Sequence, residues 1–174
     1  MIRIGRGIWR GRILRPDLKG VRPTSSRVRE ALMSILADRL SGAVVWDLFS
    51  GSGAFGVECV SCGAEKAIFM DSSPVNLNRI SKFFKDNDSV DKCITVRGRL
   101  PDGIGRLVPP VDIVFMDPPY GDSYIYSWIL EFPWDSVVRG DGVVIVESGW
   151  RDFDSRWQKR KYGDTQIHML EVEK

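Results

Sequence analysis

The chain has 174 residues, of which 43% are hydrophobic and 28% are charged, a balance typical of one folded domain and unlike that of a disordered or membrane-spanning chain. Its three cysteines are too few, and odd in number, for the disulfide framework of a small secreted protein. No secretory apolar segment opens the sequence, so we expect a cytoplasmic protein with no membrane partner.

The net charge of +2 is unevenly distributed along the chain. Residues 1–30 hold nine lysines and arginines against two acids, a net charge of +7, which leaves −5 for the remaining 144 residues. Eight of the nine are arginines, which can bind a phosphate through two hydrogen bonds at once. This distribution favours a nucleic acid as the partner, although a solvated basic tail would have the same composition.

The first 42 residues predict a basic appendage. Residues 1–15 are predicted to form short strand-like pieces separated by glycines. Apolar residues then recur at helical spacing from Val28, which predicts an amphipathic helix from about Ser26 to Leu40. We expect this basic arm and helix, residues 1–42, to precede a larger domain that occupies residues 43–174.

Strands and helices alternate from residue 43 onward. Five apolar runs predict strands covered on both faces, and the helices between them predict right-handed crossovers. The predicted strands are Ala43–Leu48, Lys66–Asp71, Cys93–Arg97, Val111–Asp117 and Gly142–Glu147, with a weaker pair near Gln166–Val172, and the predicted helices are Ala54–Ser61, Pro74–Asn87 and Ser123–Phe132. The fold class is therefore α/β, a doubly wound, mostly parallel sheet whose ligands bind beyond the carboxyl ends of the strands.

A glycine-rich loop follows the first of these strands. Residues 51–56 match G-x-G-x-x-G, a fingerprint of dinucleotide binding, but Asp47 would repel a pyrophosphate placed beside it. The same carboxylate would attract an ammonium or sulfonium group, which favours S-adenosylmethionine over NAD. Asp71, at the end of the second strand, is predicted to accept hydrogen bonds from a ribose or to cap the next helix. The residues predicted to bind the cofactor are Asp47, Phe49, Gly51, Ser52, Gly53, Asp71 and Ser72.

The sequence Asp117-Pro118-Pro119-Tyr120 follows the fourth strand. Proline has no N–H to donate, so nearby carbonyl groups remain available as acceptors, while Asp117 adds a carboxylate and Tyr120 a flat aromatic face. This combination suits a planar amine on an aromatic ring. A turn would also use proline, but it does not require the acid or the tyrosine. We predict Asp117, Pro118, Pro119 and Tyr120 as the catalytic residues.

Several other features allow two interpretations. Cys59 and Cys62 form a C-x-x-C without a second pair, so we expect packing and predict no metal site. Glu147 either lines the cleft or caps a loop. The aromatic and basic residues between Trp150 and Tyr162 either assist RNA binding or form a packed strand with a solvated face. The single histidine, His168, lies near a predicted edge strand, which argues against Ser-His-Asp catalysis.

These residues resemble the RsmD family of bacterial small-subunit ribosomal RNA methyltransferases, which modify a guanine at its N2 amine. The glycine loop and the Asp-Pro-Pro-Tyr segment are generic to amino-methyltransferases, whereas Trp9–Arg12, Arg22-Pro23-Thr24 and Arg27–Leu32 carry the closer resemblance. The resemblance implies a seven-stranded methyltransferase fold with a closing antiparallel pair, S-adenosylmethionine as the cofactor, and 16S ribosomal RNA or the assembling small subunit as the partner. The basic arm would then contact RNA through Arg10, Arg12, Arg22, Arg27 and Arg29.

The chain also departs from the pattern of that family. Arg97-Gly98-Arg99 follows the third strand, where such folds usually have an acid for the adenine amine, and Asp102 is the alternative further along. The adenine contact is therefore left unassigned. Other functions that fit are a DNA adenine-N6 or cytosine-N4 methyltransferase and a catalytically silent RNA-binding module. Protein glutamine methylation and NAD-linked oxidation fit less well. The sequence does not indicate the oligomeric state, and a monomer is compatible with it.

Overall fold

The computed structural model describes residues 1–16 and 24–173. A short hairpin and a helix lead into a central sheet with helices between its strands. In chain order the elements are β1 (Ile2–Arg3), β2 (Ile13–Leu14), α1 (Ser26–Ile35), β3 (Val44–Leu48), α2 (Ala54–Ser61), β4 (Lys66–Asp71), α3 (Pro74–Lys85), β5 (Cys93–Arg97), β6 (Val111–Met116), α4 (Ser123–Glu131), β7 (Val138–Ser148), β8 (Gln158–Tyr162) and β9 (Thr165–Glu171). No helix in the described ranges is long and apolar enough to cross a membrane.

The central sheet has seven strands in the order β5-β4-β3-β6-β7-β9-β8. Neighbouring strands from β5 to β7 are parallel, and β9 runs antiparallel to both β7 and β8. The prediction of a doubly wound, mostly parallel sheet is confirmed, as is the closing antiparallel pair. The chain progresses from β3 to one edge of the sheet and then returns to β6 on the other side. The carboxyl ends of β3 and β6 therefore flank a topological switch point, where such sheets bind ligands.

Most predicted boundaries agree with the structure, and α2, β4 and β5 match it residue for residue. The helix that begins at Ser26 ends at Ile35 instead of Leu40, and a 3₁₀ turn follows over Ala37–Arg39. Strand β7 begins at Val138, before the predicted Gly142, because the ladder with β6 resumes at the pair Val111 and Val138 after an irregularity in register.

One expectation about burial was wrong. Strand β5 was expected to be covered on both faces, but it is an edge strand with half-buried and exposed residues, and Ile94 is 42% exposed. An edge strand has one neighbour fewer, so less of its surface is covered. His168 lies on β9, which is enclosed between β7 and the edge strand β8, so its predicted position near an edge strand agrees with the structure. Its side chain is buried and stacks on Phe153, with ring centroids 3.9 Å apart.

The hairpin packs onto the sheet's helices. Strands β1 and β2 pair through Ile2 opposite Leu14, and both side chains join the core cluster that includes α2 and α3. Trp9 meets Phe83 and Phe84 edge to face, with each pair of ring centroids 5.3 Å apart. Apolar contacts therefore cross the predicted boundary between residues 42 and 43, and the division into two domains stays a prediction.

Candidate active site

A cavity of about 850 Å³ opens at the carboxyl ends of β3, β4 and β6. Among the described residues that line it, five are acidic and one, Arg99, is basic. Opposite charges attract strongly where water is partly excluded, so this excess of negative charge favours a cationic ligand and opposes a phosphorylated one. The acidic residues are Asp47, Asp71, Asp117, Asp122 and Glu147.

Asp47 lies on β3 and is 2% exposed. One carboxylate oxygen accepts a hydrogen bond from the backbone N–H of Gly56 at 2.9 Å. Burial raises the pKa of Asp47 well above its ordinary value, the Gly56 N–H opposes that rise, and the charges of Asp71 and Asp117 add to it. A positive group in the cavity would stabilise the ionised form of Asp47 and offset the repulsion among these acids.

Two glycines of the loop are required for close packing. Gly53 has φ +70°, and a Cβ there would lie 2.6 Å from the side chain of Ile80. A Cβ on Gly56 would lie 2.5 Å from the ring of Phe69 and 3.1 Å from the Asp47 carboxylate. These positions let the start of α2 approach the sheet, so the N–H of Gly56 reaches Asp47. Gly53, predicted to bind the cofactor, is not among the residues that line the cavity.

Asp71 ties two loops together at the end of β4. One oxygen accepts a hydrogen bond from the Gly51 N–H and the other from the Ser73 N–H, each at 2.7 Å. Asp71 was alternatively predicted to cap the next helix, but Ser73 is the residue that caps α3, by accepting a hydrogen bond from the Asn76 N–H. Asp71 lines the cavity, and each carboxylate oxygen can accept a second hydrogen bond.

The Asp-Pro-Pro-Tyr segment follows β6 and lines the cavity opposite the glycine loop. The Tyr120 hydroxyl donates to the Glu147 carboxylate at 3.2 Å. Burial raises the pKa of Tyr120, and the charges of Glu147 and Asp117 raise it further, so the phenol stays protonated. Glu147 was predicted either to line the cleft or to cap a loop. It lies on β7, is 4% exposed and lines the cleft.

The N-terminal segment reaches this site through a series of polar contacts. The Gly5 N–H donates to Glu58 at 2.8 Å, and the other oxygen of Glu58 lies 3.5 Å from Arg29 Nε. Arg29 Nη1 donates to the carbonyl of Thr24 at 2.7 Å, and the hydroxyl of Thr24 donates to Asp117 at 3.3 Å. These contacts connect Asp117, a predicted catalytic residue, to Thr24, which directly precedes the N-cap of α1. The sequence stretch around Thr24 carried the family resemblance, but sequence reasoning did not assign Thr24 to the site.

The five arginines predicted to contact RNA fall into three groups. Arg10, Arg12 and Arg27 are exposed, and Arg12 also bonds the amide oxygen of Asn87. Arg22 lies outside the described residues. Arg29 requires a correction: it is 5% exposed and ion-paired with a buried acid, so its guanidinium faces the interior and is removed from the predicted RNA contacts.

The remaining predicted cofactor residues, Phe49, Gly51, Ser52 and Ser72, all line the cavity. Beyond β5 the lining residues are Gly98, Arg99 and Leu100, and Asp102 is not among them. Asp102, the alternative candidate for the adenine contact, therefore does not lie at the cavity wall. Sequence reasoning missed several further lining residues, all of them polar. They are Thr24, Ser25, Asn76, Asp122 and Thr165, of which Thr24 and Asp122 lie within or beside a recognised motif.

Known proteins match the chain over most of its length. The family described as Conserved hypothetical protein 95 matches residues 2–171. The chain is 32% identical over 148 residues to "Ribosomal RNA small subunit methyltransferase D" of Escherichia coli strain K12, which covers 84% of this chain and 74% of that protein. The protein of the same name from Haemophilus influenzae is 33% identical over 128 residues, 68% of this chain and 64% of that one.

Solved structures are similar to the whole architecture. The Escherichia coli protein yhhF is 26% identical with a TM-score of 0.82, over 99% of both chains. An RNA methyltransferase of Salinibacter ruber, solved with S-adenosyl-L-homocysteine, has 15% identity and a TM-score of 0.63 over 88% of this chain and 95% of that one. The second likeness concerns the fold alone. Together with the match over nearly all its residues, the switch-point cavity and the motifs around it place this chain in the RsmD family, Conserved hypothetical protein 95.

Proposed function

We propose that this protein transfers a methyl group from S-adenosylmethionine to the exocyclic N2 amine of a guanine in 16S ribosomal RNA. The observation that carries the proposal is one acidic cavity that combines Asp47 and the glycine loop with the Asp-Pro-Pro-Tyr segment. Its relatives named as small-subunit ribosomal RNA methyltransferases support the RNA substrate.

The residues of the cavity fit this cofactor. Its volume of about 850 Å³ and its negative charge suit a nucleoside that carries cationic groups and no phosphate. Asp47 would face the positive charge of the cofactor, and Asp71 would accept hydrogen bonds from its ribose. When bound, S-adenosylmethionine supplies a methyl group activated by a sulfonium charge.

The chain's own residues would act on the amine. The lone pair of a guanine N2 is delocalised into the ring, so the nitrogen is a poor nucleophile. Asp117 and the carbonyl of Pro118 would accept its hydrogens and stabilise the positive charge that develops on it, an effect typically of about 10²–10³ in rate. Thr24, which donates to Asp117, would help to hold the carboxylate in place. The ring of Tyr120, 44% exposed, would stack on a base that is unpaired or rotated out of its helix.

The exposed arginines of the hairpin and of α1 would contact the RNA backbone. Arg10, Arg12 and Arg27 are exposed, and Arg22 stays part of this prediction from the sequence. Each contact to a phosphate releases counterions, so RNA binding should weaken steeply with salt. A DNA amino-methyltransferase uses the same chemistry at the amine, and a silent RNA-binding module would keep the fold without it.

Methyl transfer from tritiated cofactor to small ribosomal subunits, protein-free 16S RNA and plasmid DNA separates these functions. We expect label in an RNA substrate, located by mass spectrometry of its nucleosides as N2-methylguanosine. Label in DNA alone would establish the DNA enzyme, and no label in any substrate would favour the silent module.

Asp117→Ala tests the assignment of the amine site. We expect a loss of at least about 100-fold in rate, with affinity for the cofactor within a few-fold of wild type. The matched control is Asp38→Ala, which removes an exposed acid from the turn after α1 and should retain full activity. An Asp117→Ala variant that keeps most of its rate would refute the assignment.

A further inference from the structure

Three aromatic side chains in the described part of the chain are exposed, and two of them, Tyr120 and Trp150, are linked to the cavity by position. Tyr120 lines the cavity, Tyr124 is 69% exposed near the start of α4, and Trp150 is 70% exposed just after β7. Trp150 directly follows Gly149, where an added Cβ would lie 3.1 Å from the ring of Tyr120. Scattered exposed aromatics need no explanation, but an exposed pair beside one site indicates a binding surface.

Cations accompany these rings. Lys161, on the edge strand β8, places its ammonium 3.6 Å from the centre of the Trp150 ring. Arg151 lies 4.2 Å from the centre of the Tyr126 ring and donates to the carbonyl of Tyr120 at 3.3 Å. The first four residues of β8, Gln158 to Lys161, are exposed and include three consecutive cations. Lys159 is paired with Asp152 at 2.9 Å, so the cations that accompany the rings at this lip of the cavity are Lys161 and Arg151.

We propose that Trp150 and Lys161 bind an unpaired nucleotide of the RNA next to the target guanine, an inference that rests on the proposed function. Lys161 covers one face of the indole, and the 70% exposure of Trp150 leaves the other face open for a base. Base stacking on an aromatic ring, with a cation for the adjoining phosphate, is the usual chemistry of single-stranded RNA binding. The positive charge argues against a cationic or purely apolar partner.

This surface would also help to select the substrate. Gly149, which precedes Trp150, lies close to the ring of Tyr120, so a nucleotide on Trp150 would be a near neighbour of a base on Tyr120. An RNA in which both nucleotides are unpaired could occupy the two rings together, whereas a regular duplex keeps its bases stacked on each other. The surface therefore favours a target guanine within or beside an unpaired segment.

The test compares Trp150→Ala, Trp150→Phe and Lys161→Met with wild type. The matched control is Val108→Ala, which alters another exposed apolar residue, in the loop before β6 at the opposite ends of the strands. Binding of a fluorescently labelled single-stranded RNA and binding of small ribosomal subunits are measured at several salt concentrations. The KM and kcat of methyl transfer to protein-free 16S RNA, the affinity for S-adenosylmethionine and the melting temperature are measured for each variant.

We expect Trp150→Ala to weaken RNA binding about tenfold and to raise the KM for RNA with little change in kcat. Trp150→Phe should restore most of the affinity, because a phenyl ring still stacks. Lys161→Met should reduce the slope of log affinity against log salt by about 0.7, the value for one phosphate contact on a single strand. Cofactor affinity and melting temperature should not change, since both side chains are on the surface.

Unchanged RNA affinity in Trp150→Ala, with wild-type methylation intact, would overturn this inference and leave the proposed function standing. A loss of affinity for small subunits without a loss for protein-free RNA would show that the surface contacts a ribosomal protein, and would also overturn it. If wild-type protein methylated no RNA at all, the proposed function itself would fail and this inference with it.

Discussion

The buried His168 should make the stability of this protein depend on pH in a defined interval. It is the single histidine of the chain and is 1% exposed, with Nε2 3.1 Å from the hydroxyl of Ser148. Burial and, to a smaller extent, the charge of Lys159 lower the pKa of His168 to about 4, against the opposing effect of the Asp152 charge. In the unfolded chain a histidine has a pKa of about 6.5.

The direction follows from where each state takes up the proton. Below about pH 6.5 the unfolded chain binds a proton on His168 that the folded protein does not bind until the pH approaches 4. The free energy of unfolding therefore decreases as the pH is lowered through this interval. With those two pKa values, the loss between pH 7 and pH 5 is about 2 kcal/mol. Asp47, whose pKa is raised by burial, acts in the opposite direction because the folded state binds its proton more readily.

His168→Gln isolates the contribution of the histidine, because it keeps a group able to bond Ser148 and leaves Asp47 unchanged. Urea unfolding followed by circular dichroism at pH 7, 6 and 5 measures the free energy of unfolding of both proteins. From pH 7 to pH 5, we expect the free energy of unfolding of wild type to fall by about 2 kcal/mol more than that of the variant. In the folded wild type, the single imidazole resonance in the NMR spectrum should not titrate above pH 5. Parallel pH profiles for the two proteins, or an imidazole midpoint near 6.5, would refute the reasoning.

Two further predictions concern stability. Glu58→Ala leaves Arg29 buried without the acid that faces it at 3.5 Å, which should lower the free energy of unfolding by about 3–5 kcal/mol. Adding Arg29→Met should recover part of that loss. A Glu58→Ala variant whose free energy of unfolding stays within about 1 kcal/mol of wild type would contradict the role of the pair. Gly56→Ala forces a methyl against Phe69 and should cost about 1–3 kcal/mol in thermal unfolding. Its control is Gly105→Ala, where the new methyl has open space, and equal stability of the two variants would contradict the packing argument.

The alternation of strands and helices could be predicted from the sequence because it depends on local pattern. Buried parallel strands need continuous apolar runs, and Lys66–Asp71 was predicted with its observed bounds. In a doubly wound sheet the carboxyl ends of the strands converge, so residues that follow different strands were predicted to share one cleft. Asp47, Asp71 and Asp117 do line one cavity.

The role of the N-terminal segment required the tertiary structure. Arg29 was grouped with the arginines of a basic arm, because composition does not distinguish an exposed guanidinium from a buried one. Only the packing of α1 against α2 places it beside Glu58. Likewise, Thr24 lies 93 residues from Asp117 in the chain, and no periodicity in sequence relates two positions so far apart.

The grouping of Tyr120, Trp150 and Lys161 was decided in the same way. The sequence between Trp150 and Tyr162 allowed either an RNA surface or a packed strand, since the same residues serve both. The antiparallel pairing of β8 with β9 and of β9 with β7 sets Lys161 beside Trp150 at the lip of the cavity. Local sequence determines which backbone conformation a segment adopts, whereas exposure, charge partners and neighbours depend on which surfaces meet when the chain folds.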